Sequence, residues 1–248
     1  MAFAPTALST GCAISSIESV DSSPPDLDQL PVVLFDLDGT LTDPKVGIVT
    51  CLENGMRAVG LNPSDHGDLS RFIGPPLDDT FAGFGLNDSD VQLAIGAYRE
   101  RFATHGIFEN EVYDGTVEML QQLRSDGWTL GVATSKPEPF AVRILAHFKL
   151  DQWFGFVAAA TLDGTRRTKA DVIAHALQLS GRRPGDHAVA KSVVMIGDRQ
   201  HDIAGARSHQ IRTIAVSWGY GGLDELVAAD PWRIAGSPGE IPDLLREA

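Results

Sequence analysis

Two aspartates after a short apolar segment are the residues of this 248-residue chain best suited to chemistry. Asp36 and Asp38 follow Val32–Phe35, an apolar run that predicts a buried strand. Ligands of open α/β sheets bind at the carboxyl ends of the strands, so both carboxylates are expected to face one crevice. Two like charges this close require a cation, and carboxylate oxygens suit Mg²⁺. With that charge neutralised, one carboxylate can be a nucleophile and the other can exchange protons.

The same residues, taken alone, also fit an acidic turn after a strand, in which Gly39 only permits the turn. Three further groups at predicted strand ends or helix starts favour the chemical interpretation. The first is Thr134 with Ser135, directly after the apolar segment Trp128–Ala133. A hydroxyl there can donate to a phosphoryl oxygen, although Thr and Ser before Pro137 also suit a helix N-cap.

The second group is Lys169, at the start of a predicted helix that ends at Leu179. In a phosphoryl-transfer site a lysine can pair with the nucleophilic carboxylate and with the developing charge. A single lysine is otherwise a solvated charge. Arg166 and Arg167 are expected to face solvent.

The third group is Asp198 with Asp202, in Gly197-Asp198-Arg199-Gln200-His201-Asp202 after the apolar run Val193–Ile196. Four residues separate the two acids, which places them on the same face of a helix. One can bind a metal while the other holds a metal-bound water or the lysine. The alternative is a helix stabilised by acidic residues near its N-terminus.

The order of these four groups resembles that of phosphatases of the haloacid dehalogenase superfamily, over about residues 31 to 245. Four segments are similar to the branch that contains phosphoglycolate phosphatases and 5′-nucleotidase-like enzymes: Phe72–Leu77, Ala133–Pro137, Leu162–Gly164 and Trp218–Gly221. Ser208-His209-Gln210 departs from this branch, in which Asn-Gly often precedes the last core strand.

The resemblance implies a role for each residue. Asp36 would attack phosphorus and become an aspartyl phosphate, and Asp38 would protonate the leaving alkoxide and then activate water. Mg²⁺ would be held by the Asp36 side chain, the Asp38 backbone carbonyl and Asp198. Asp202 would support the metal shell or the lysine. The residues expected to bind the substrate phosphoryl group are Thr134, Ser135 and Lys169.

The elements that must position these residues form an α/β pattern with a helical insert. Alternating strands and helices predict a doubly wound parallel sheet with right-handed crossovers. The resemblance implies a Rossmann-like core of residues 31–43 and 113–248, with a helical cap at residues 44–112. Residues 1–30, rich in Ser and Pro, predict a flexible tail. Further core strands are expected at Phe154–Ala159, Ile211–Val216 and Arg233–Ala235, and Asp114 is expected to cap a helix.

Bulk properties restrict the partners. The formal net charge of -13 argues against nucleic acid polymers and anionic membranes. No apolar stretch approaches the roughly 20 residues that span a bilayer. Cys12 and Cys51 lie far apart, which predicts free thiols and a cytoplasmic protein. We expect a monomer or a homodimer.

Three other functions share part of this pattern. A dehalogenase needs no second acid and no metal, so Asp38 and Asp198 argue against it. A sugar phosphomutase shares the whole constellation, and a phospholigand-binding module would need no nucleophile.

A cap that closes over its substrate favours small phosphomonoesters, with specificity expected around Arg71–Leu77. The histidines interpreted as surface or core residues are His66, His105 and His175.

Overall fold

Six parallel strands form the central sheet of this computed structural model, which describes residue 1, residues 31–183 and residues 191–247. The six are β1 (Val32–Phe35), β4 (Thr129–Pro137), β5 (Phe156–Ala160), β6 (Val193–Gly197), β7 (Arg212–Val216) and β8 (Arg233–Ala235). Their order across the sheet is β5-β4-β1-β6-β7-β8. Because β1 is central, its carboxyl end lies between those of β4 and β6, which supply the other predicted site residues.

Strand β1 is a continuous apolar run because both faces of the sheet are covered. Val33 and Phe35 point into one hydrophobic cluster, and Val32 and Leu34 point into another on the opposite face. All four side chains are fully buried. Phe35, the last residue of β1, is level with Val132 of β4 and with Ile196 of β6, so the residues that follow these three positions lie at the same edge of the sheet.

Helices pack on both faces of the sheet, which confirms the doubly wound α/β fold. The helices after the insert are α4 (Thr116–Ser125), α5 (Glu138–His147), α6 (Lys169–Leu179), α7 (Gln200–Ser208), α8 (Leu223–Ala228) and α9 (Ile241–Arg246). Residues of α6 and α7 cover the face of Val32 and Leu34, and residues of α4, α5 and α9 cover the face of Val33 and Phe35. No helix in the described ranges is both long and apolar enough to cross a membrane.

The chain between β1 and α4 is helical, as the sequence predicts. It contains α1 (Lys45–Ala58), α2 (Leu77–Ala82) and α3 (Asp88–Arg101). Two short antiparallel strands, β2 (Thr42–Asp43) and β3 (Glu111–Val112), join at its base. We call residues 44–110 the insert. Its apolar residues belong to the same cluster as one face of the sheet, and its division from the core as a separate cap stays a prediction.

The aromatic residues of the insert pack against one another. Phe84 makes edge-to-face contacts with Phe72 and Phe81, with ring centroids 5.0 and 6.2 Å apart. Phe81 is fully buried. Phe72 also lines a cavity described below.

Two local predictions are wrong. Asp114 does not cap α4, because Gly115 occupies the N-cap with a φ of 82° and no side chain caps the helix. Glycine adopts positive φ without steric cost, so Gly115 can take the N-cap position and Asp114 lies one residue before it. Strand β4 continues to Pro137 rather than ending at Ala133, because its pairing with β5 resumes after an irregularity between Thr134 and Pro137.

Other boundaries differ by one or two residues, and the strand at Arg233–Ala235 is as predicted. Helix α3 ends at Arg101, and the chain continues as a wider helical turn over Phe102–Gly106. Cys51 is a buried free thiol. The predicted tail after Met1, with Cys12, lies outside the described residues.

Candidate active site

The segment after β1 positions Asp36 and Asp38 by backbone hydrogen bonds to the neighbouring strand and within its own turn. The Asp36 amide donates to the Ile196 carbonyl of β6 at 2.9 Å. Gly39 has a φ of 85°, and a Cβ there would lie 2.2 Å from Asp198 Oδ2. Only glycine therefore allows this turn to pass so close to Asp198.

Lys169 joins two of the predicted acids. Its Nζ lies 3.0 Å from Asp36 Oδ1 and 2.7 Å from Asp202 Oδ1, and it donates to the Ala133 carbonyl at 2.9 Å. Its side chain is only 4% exposed. Burial disfavours the ammonium, but the carboxylates of Asp202 and Asp36 outweigh that cost and raise the pKa of Lys169. The lysine therefore stays charged between β1, β4 and α7.

Asp198 follows β6 and is fully buried. The Tyr220 amide donates to its Oδ2 at 2.8 Å, and the Thr40 hydroxyl donates to its Oδ1 at 3.3 Å. Burial, followed by repulsion from Asp202 and Asp36, raises its pKa well above the ordinary value. This carboxylate has hydrogen-bond donors but no cationic side chain bound to it within the described residues.

Asp202 lies on α7, one turn after Asp198. Its Oδ1 contacts Lys169 and its Oδ2 accepts the Arg199 amide at 3.0 Å. Burial raises the pKa of Asp202 to about 6, against the opposing charge of Lys169. The sequence left two partners open for this acid, a metal-bound water or the lysine. In the structure Asp202 contacts the lysine.

The carboxylates of Asp36, Asp198 and Asp202 fit a hard divalent cation. One oxygen of each lies within 4.8 Å of the others, and all three residues are buried. Lys169 supplies a single positive charge for three carboxylates, so the cluster holds an excess of negative charge. An all-oxygen donor set of this kind suits Mg²⁺.

Asp38 contacts a residue that sequence reasoning missed. Lys136 Nζ lies 2.6 Å from Asp38 Oδ2, and the lysine side chain is only 5% exposed. Asp38 Oδ1 accepts no hydrogen bond from the described residues. Burial is the largest influence on Asp38 and raises its pKa, while Lys136 acts in the opposite direction. The sequence offered one signal for Lys136: it lies in Ala133–Pro137, one of the segments similar to the phosphatase branch.

Thr134 and Ser135 lie on β4 at the same edge of the sheet. Thr134 is buried, and its hydroxyl oxygen accepts the Lys136 amide at 3.2 Å. The helix-capping interpretation of these residues is wrong, because the N-cap of α5 is Pro137 and no side chain caps it. The Thr134 hydroxyl hydrogen remains available to a ligand, and Ser135 lines the adjoining cavity.

A cavity of about 160 Å³ separates the insert from the sheet edge. Its core wall includes Asp38, Ser135 and Lys136, and its insert wall includes Phe72, Gly74–Leu77, Tyr98 and Arg99. Most of the segment in which specificity was expected, Arg71–Leu77, therefore borders this cavity.

The prediction that Arg166 faces solvent is wrong. Its side chain is mostly buried, donates to the Ala159 carbonyl at 2.5 Å and lies 3.2 Å from Glu138. Arg167 is half-exposed and pairs with Asp79 of the insert at 2.6 Å. No histidine in the described ranges belongs to a group of side chains that could hold a metal ion.

Comparison with known proteins gives the family. Residues 33–216 match the model of the haloacid dehalogenase-like hydrolases. A 5′-nucleotidase of Pseudomonas aeruginosa is 42% identical over 202 residues, which are 81% of this chain and 89% of that protein. A protein of Mycobacterium tuberculosis named tyrosine-protein kinase PtkA is 45% identical over 204 residues, 82% of this chain and 67% of that protein.

A solved structure named as a predicted phosphatase of Clostridium acetobutylicum is 36% identical and superposes with a TM-score of 0.81. The superposed part is 88% of this chain and 99% of the chain of that structure. The chain therefore belongs to the haloacid dehalogenase-like hydrolase family. The predicted superfamily and the enzyme class, a phosphoric monoester hydrolase, are confirmed.

Proposed function

We propose that this protein is a Mg²⁺-dependent phosphomonoesterase that hydrolyses a small phosphorylated metabolite through an aspartyl phosphate formed on Asp36. The observation that carries the proposal is the contact of one buried lysine, Lys169, with both Asp36 and Asp202 beside a third acid, Asp198. A buried ion-paired cluster at the carboxyl edge of a parallel sheet is where a ligand is expected to bind.

Mg²⁺ would be held by the Asp36 side chain, the Asp38 backbone carbonyl and Asp198. The ion would supply positive charge against the phosphoryl oxygens and would lower the repulsion between Asp36 and the anionic substrate. Asp202 supports this set through Lys169, which it contacts at 2.7 Å. Removal of Lys169 would leave Asp202 as a buried charge with no cationic partner among the described residues.

Asp36 attacks phosphorus and Asp38 handles the proton. The Asp38 carboxyl protonates the leaving oxygen as its bond to phosphorus breaks, and then accepts a proton from the water that hydrolyses the aspartyl phosphate. Burial raises the pKa of Asp38, which favours the protonated form that the first step requires. Lys136, bound to its Oδ2, holds the carboxyl in place between the two steps.

Three groups bind the phosphoryl oxygens during transfer. Lys169 provides a fixed positive charge, and Thr134 and Ser135 provide hydroxyl donors on β4. Groups that are already fixed stabilise developing charge without reorganisation. The half-enclosed cavity under the insert limits the leaving group to a small molecule. We further propose a cytoplasmic protein, a monomer or homodimer, whose cap consists of residues 44–112.

Release of phosphate from an aryl phosphate tests the proposal. Wild-type protein should show activity that depends on Mg²⁺ and is abolished by a chelator. Asp36→Asn, which preserves shape but removes the nucleophile, should lower kcat by more than about 10³-fold. Asp230→Asn, at an exposed residue, is the matched control and should leave kcat unchanged. Hydrolysis that persists in Asp36→Asn would rule out this mechanism.

Two alternatives are measured in the same preparation. One relative is named a tyrosine-protein kinase, so the protein is incubated with ATP and a tyrosine peptide, and the proposal expects that the peptide is not labelled. A sugar phosphomutase would convert a hexose 1-phosphate to its 6-phosphate with no net phosphate release. Transfer or isomerisation faster than hydrolysis would replace the proposed reaction.

A further inference from the structure

One cation in the cavity under the insert has no counter-charge. Arg99 lies on α3, is half-buried and lines the cavity. Among the residues that the structure describes, no hydrogen bond, ion pair or ring contact engages its guanidinium. An unpaired guanidinium in a partly desolvated position is costly unless an anion is supplied to it.

Three neighbouring cations are paired with acids. Lys136 binds Asp38 at 2.6 Å, and Arg167 binds Asp79 at 2.6 Å. Arg101, two residues along the same helix, donates to both carboxylate oxygens of Glu109 at 2.7 and 2.9 Å. Each of these three cations therefore has an acid as its partner, whereas no described residue supplies one to Arg99.

The charge of the cavity has the opposite sign to the charge of the chain. Its wall carries three cations, Lys136, Arg99 and Arg167, and two carboxylates, Asp38 and Asp78, a balance of +1. The whole chain carries -13. A local reversal of sign in a cleft attracts and orients an anionic ligand.

We propose that Arg99 determines specificity by binding a second anionic group, a carboxylate or a phosphate, on the leaving group of the substrate. The inference rests on the proposed phosphomonoesterase and narrows its substrates to phosphorylated small acids or bisphosphates. A cavity of about 150 Å³ holds a benzene-sized molecule. The volume of about 160 Å³ therefore suits a leaving group of a few heavy atoms.

Binding to a protein that does not turn over tests the inference directly. The ligands are 2-phosphoglycolate and 2-hydroxyethyl phosphate, which differ by a carboxylate in place of a neutral hydroxymethyl group. In the Asp36→Asn background, adding Arg99→Gln should weaken 2-phosphoglycolate by about 10- to 100-fold, the value of a charge-assisted hydrogen bond. Affinity for 2-hydroxyethyl phosphate should change by less than about 2-fold.

Two further variants serve as controls. Arg57→Gln removes the same charge from an exposed residue of the insert and should leave both affinities unchanged. Arg99→Lys keeps the charge without the planar donors and should recover part of the discrimination. An equal loss of affinity for both ligands in Arg99→Gln, or no loss for either, would overturn the inference. Propane-1,3-diol bisphosphate compared with 2-phosphoglycolate shows which anion Arg99 prefers.

Steady-state turnover separates failure of this inference from failure of the proposed function. Arg99→Gln should raise KM for 2-phosphoglycolate and keep kcat/KM for para-nitrophenyl phosphate. If wild-type protein hydrolyses both esters and Arg99→Gln affects them equally, the function stands and the inference fails. If wild-type protein hydrolyses neither but Arg99 still discriminates in binding, the function fails and the anion site stands.

Discussion

Lys136 and Asp38 form an ion pair of 2.6 Å at the mouth of the cavity, with both side chains largely buried. The lysine ammonium also lies 4.6 Å from the centroid of the Phe102 ring, so the insert holds it from the other side. This pair fixes one oxygen of the proposed acid–base residue, while the second oxygen accepts no hydrogen bond from the described part of the chain.

Loss of Lys136 should affect catalysis according to the leaving group. In Lys136→Met the Asp38 carboxyl is no longer held, so protonation of the leaving oxygen becomes less efficient. We expect kcat for an alkyl phosphate to fall by about 10²-fold and that for para-nitrophenyl phosphate to fall by less than 10-fold, because a phenolate needs little protonation. Lys191→Met, at an exposed lysine, is the control. Equal losses for both esters would contradict a role through Asp38.

The site residues at the carboxyl edge of the sheet could be predicted from the sequence, because each one directly follows a segment that is recognisable from its own residues. Strand β1 is buried on both faces, so it is a continuous apolar run, and Asp36 must follow it at the sheet edge. The same holds for β6 and Asp198. The positions of Thr134 and Lys169 follow from the alternation of strands and helices.

Lys136 could not be predicted in this way, because its position depends on β4 continuing past Ala133. That continuation results from pairing with β5, between residues about 25 positions apart in the chain. The lack of an acidic partner for Arg99 among the described residues is likewise a tertiary property, because the pairing of Arg101 and Arg167 with acids becomes visible only in three dimensions.

Mg²⁺ should stabilise the folded protein through Asp198. At about 100 times its Kd a ligand that binds only the native state adds about 2.7 kcal/mol to the free energy of unfolding. We expect Tm in Mg²⁺ to exceed Tm in chelator by about 5–10 °C for a chain of this size. Asp198→Asn should remove most of this difference and should raise Tm in chelator, because it relieves repulsion with Asp36 and Asp202.

Thermal unfolding of three proteins measures this effect. Wild type and the exposed variant Asp230→Asn should show the same increase with Mg²⁺. An undiminished increase in Asp198→Asn would place the metal elsewhere.

The backbone around Asp198 should tolerate no side chain at Gly221. A Cβ there would lie 2.0 Å from the Asp198 carbonyl oxygen, whereas at Gly222 nothing lies within 4 Å. Gly221→Ala should lower the free energy of unfolding by about 1–3 kcal/mol and lower kcat, because it shifts the Tyr220 amide that holds Asp198. Gly222→Ala should cost only about 0.5 kcal/mol, the difference between glycine and alanine at an N-cap.

Denaturant unfolding and steady-state assays of these two neighbours separate a local clash from a general effect of alanine. If Gly222→Ala loses as much activity as Gly221→Ala, the close approach to Asp198 is not the cause.

Gln210 occupies a backbone position that favours glycine. Its φ is 61°, and the Ile211 amide donates to the Ala206 carbonyl at 3.0 Å, which closes the end of α7. This is the position at which Ser208-His209-Gln210 departs from the Asn-Gly of similar proteins. A side chain is strained at positive φ, so Gln210→Gly should raise the free energy of unfolding by about 0.5–1 kcal/mol.

Gln210→Ala is the matched control, because alanine keeps the Cβ that causes the strain and should bring no gain. Chemical denaturation of both variants and wild type gives the comparison. Activity should stay unchanged because Gln210 is exposed and follows the C-terminal end of α7, whereas Asp202 lies in the first turn of that helix. Stabilisation by alanine as large as by glycine would mean that loss of the glutamine side chain, rather than relief of the left-handed backbone, raises stability.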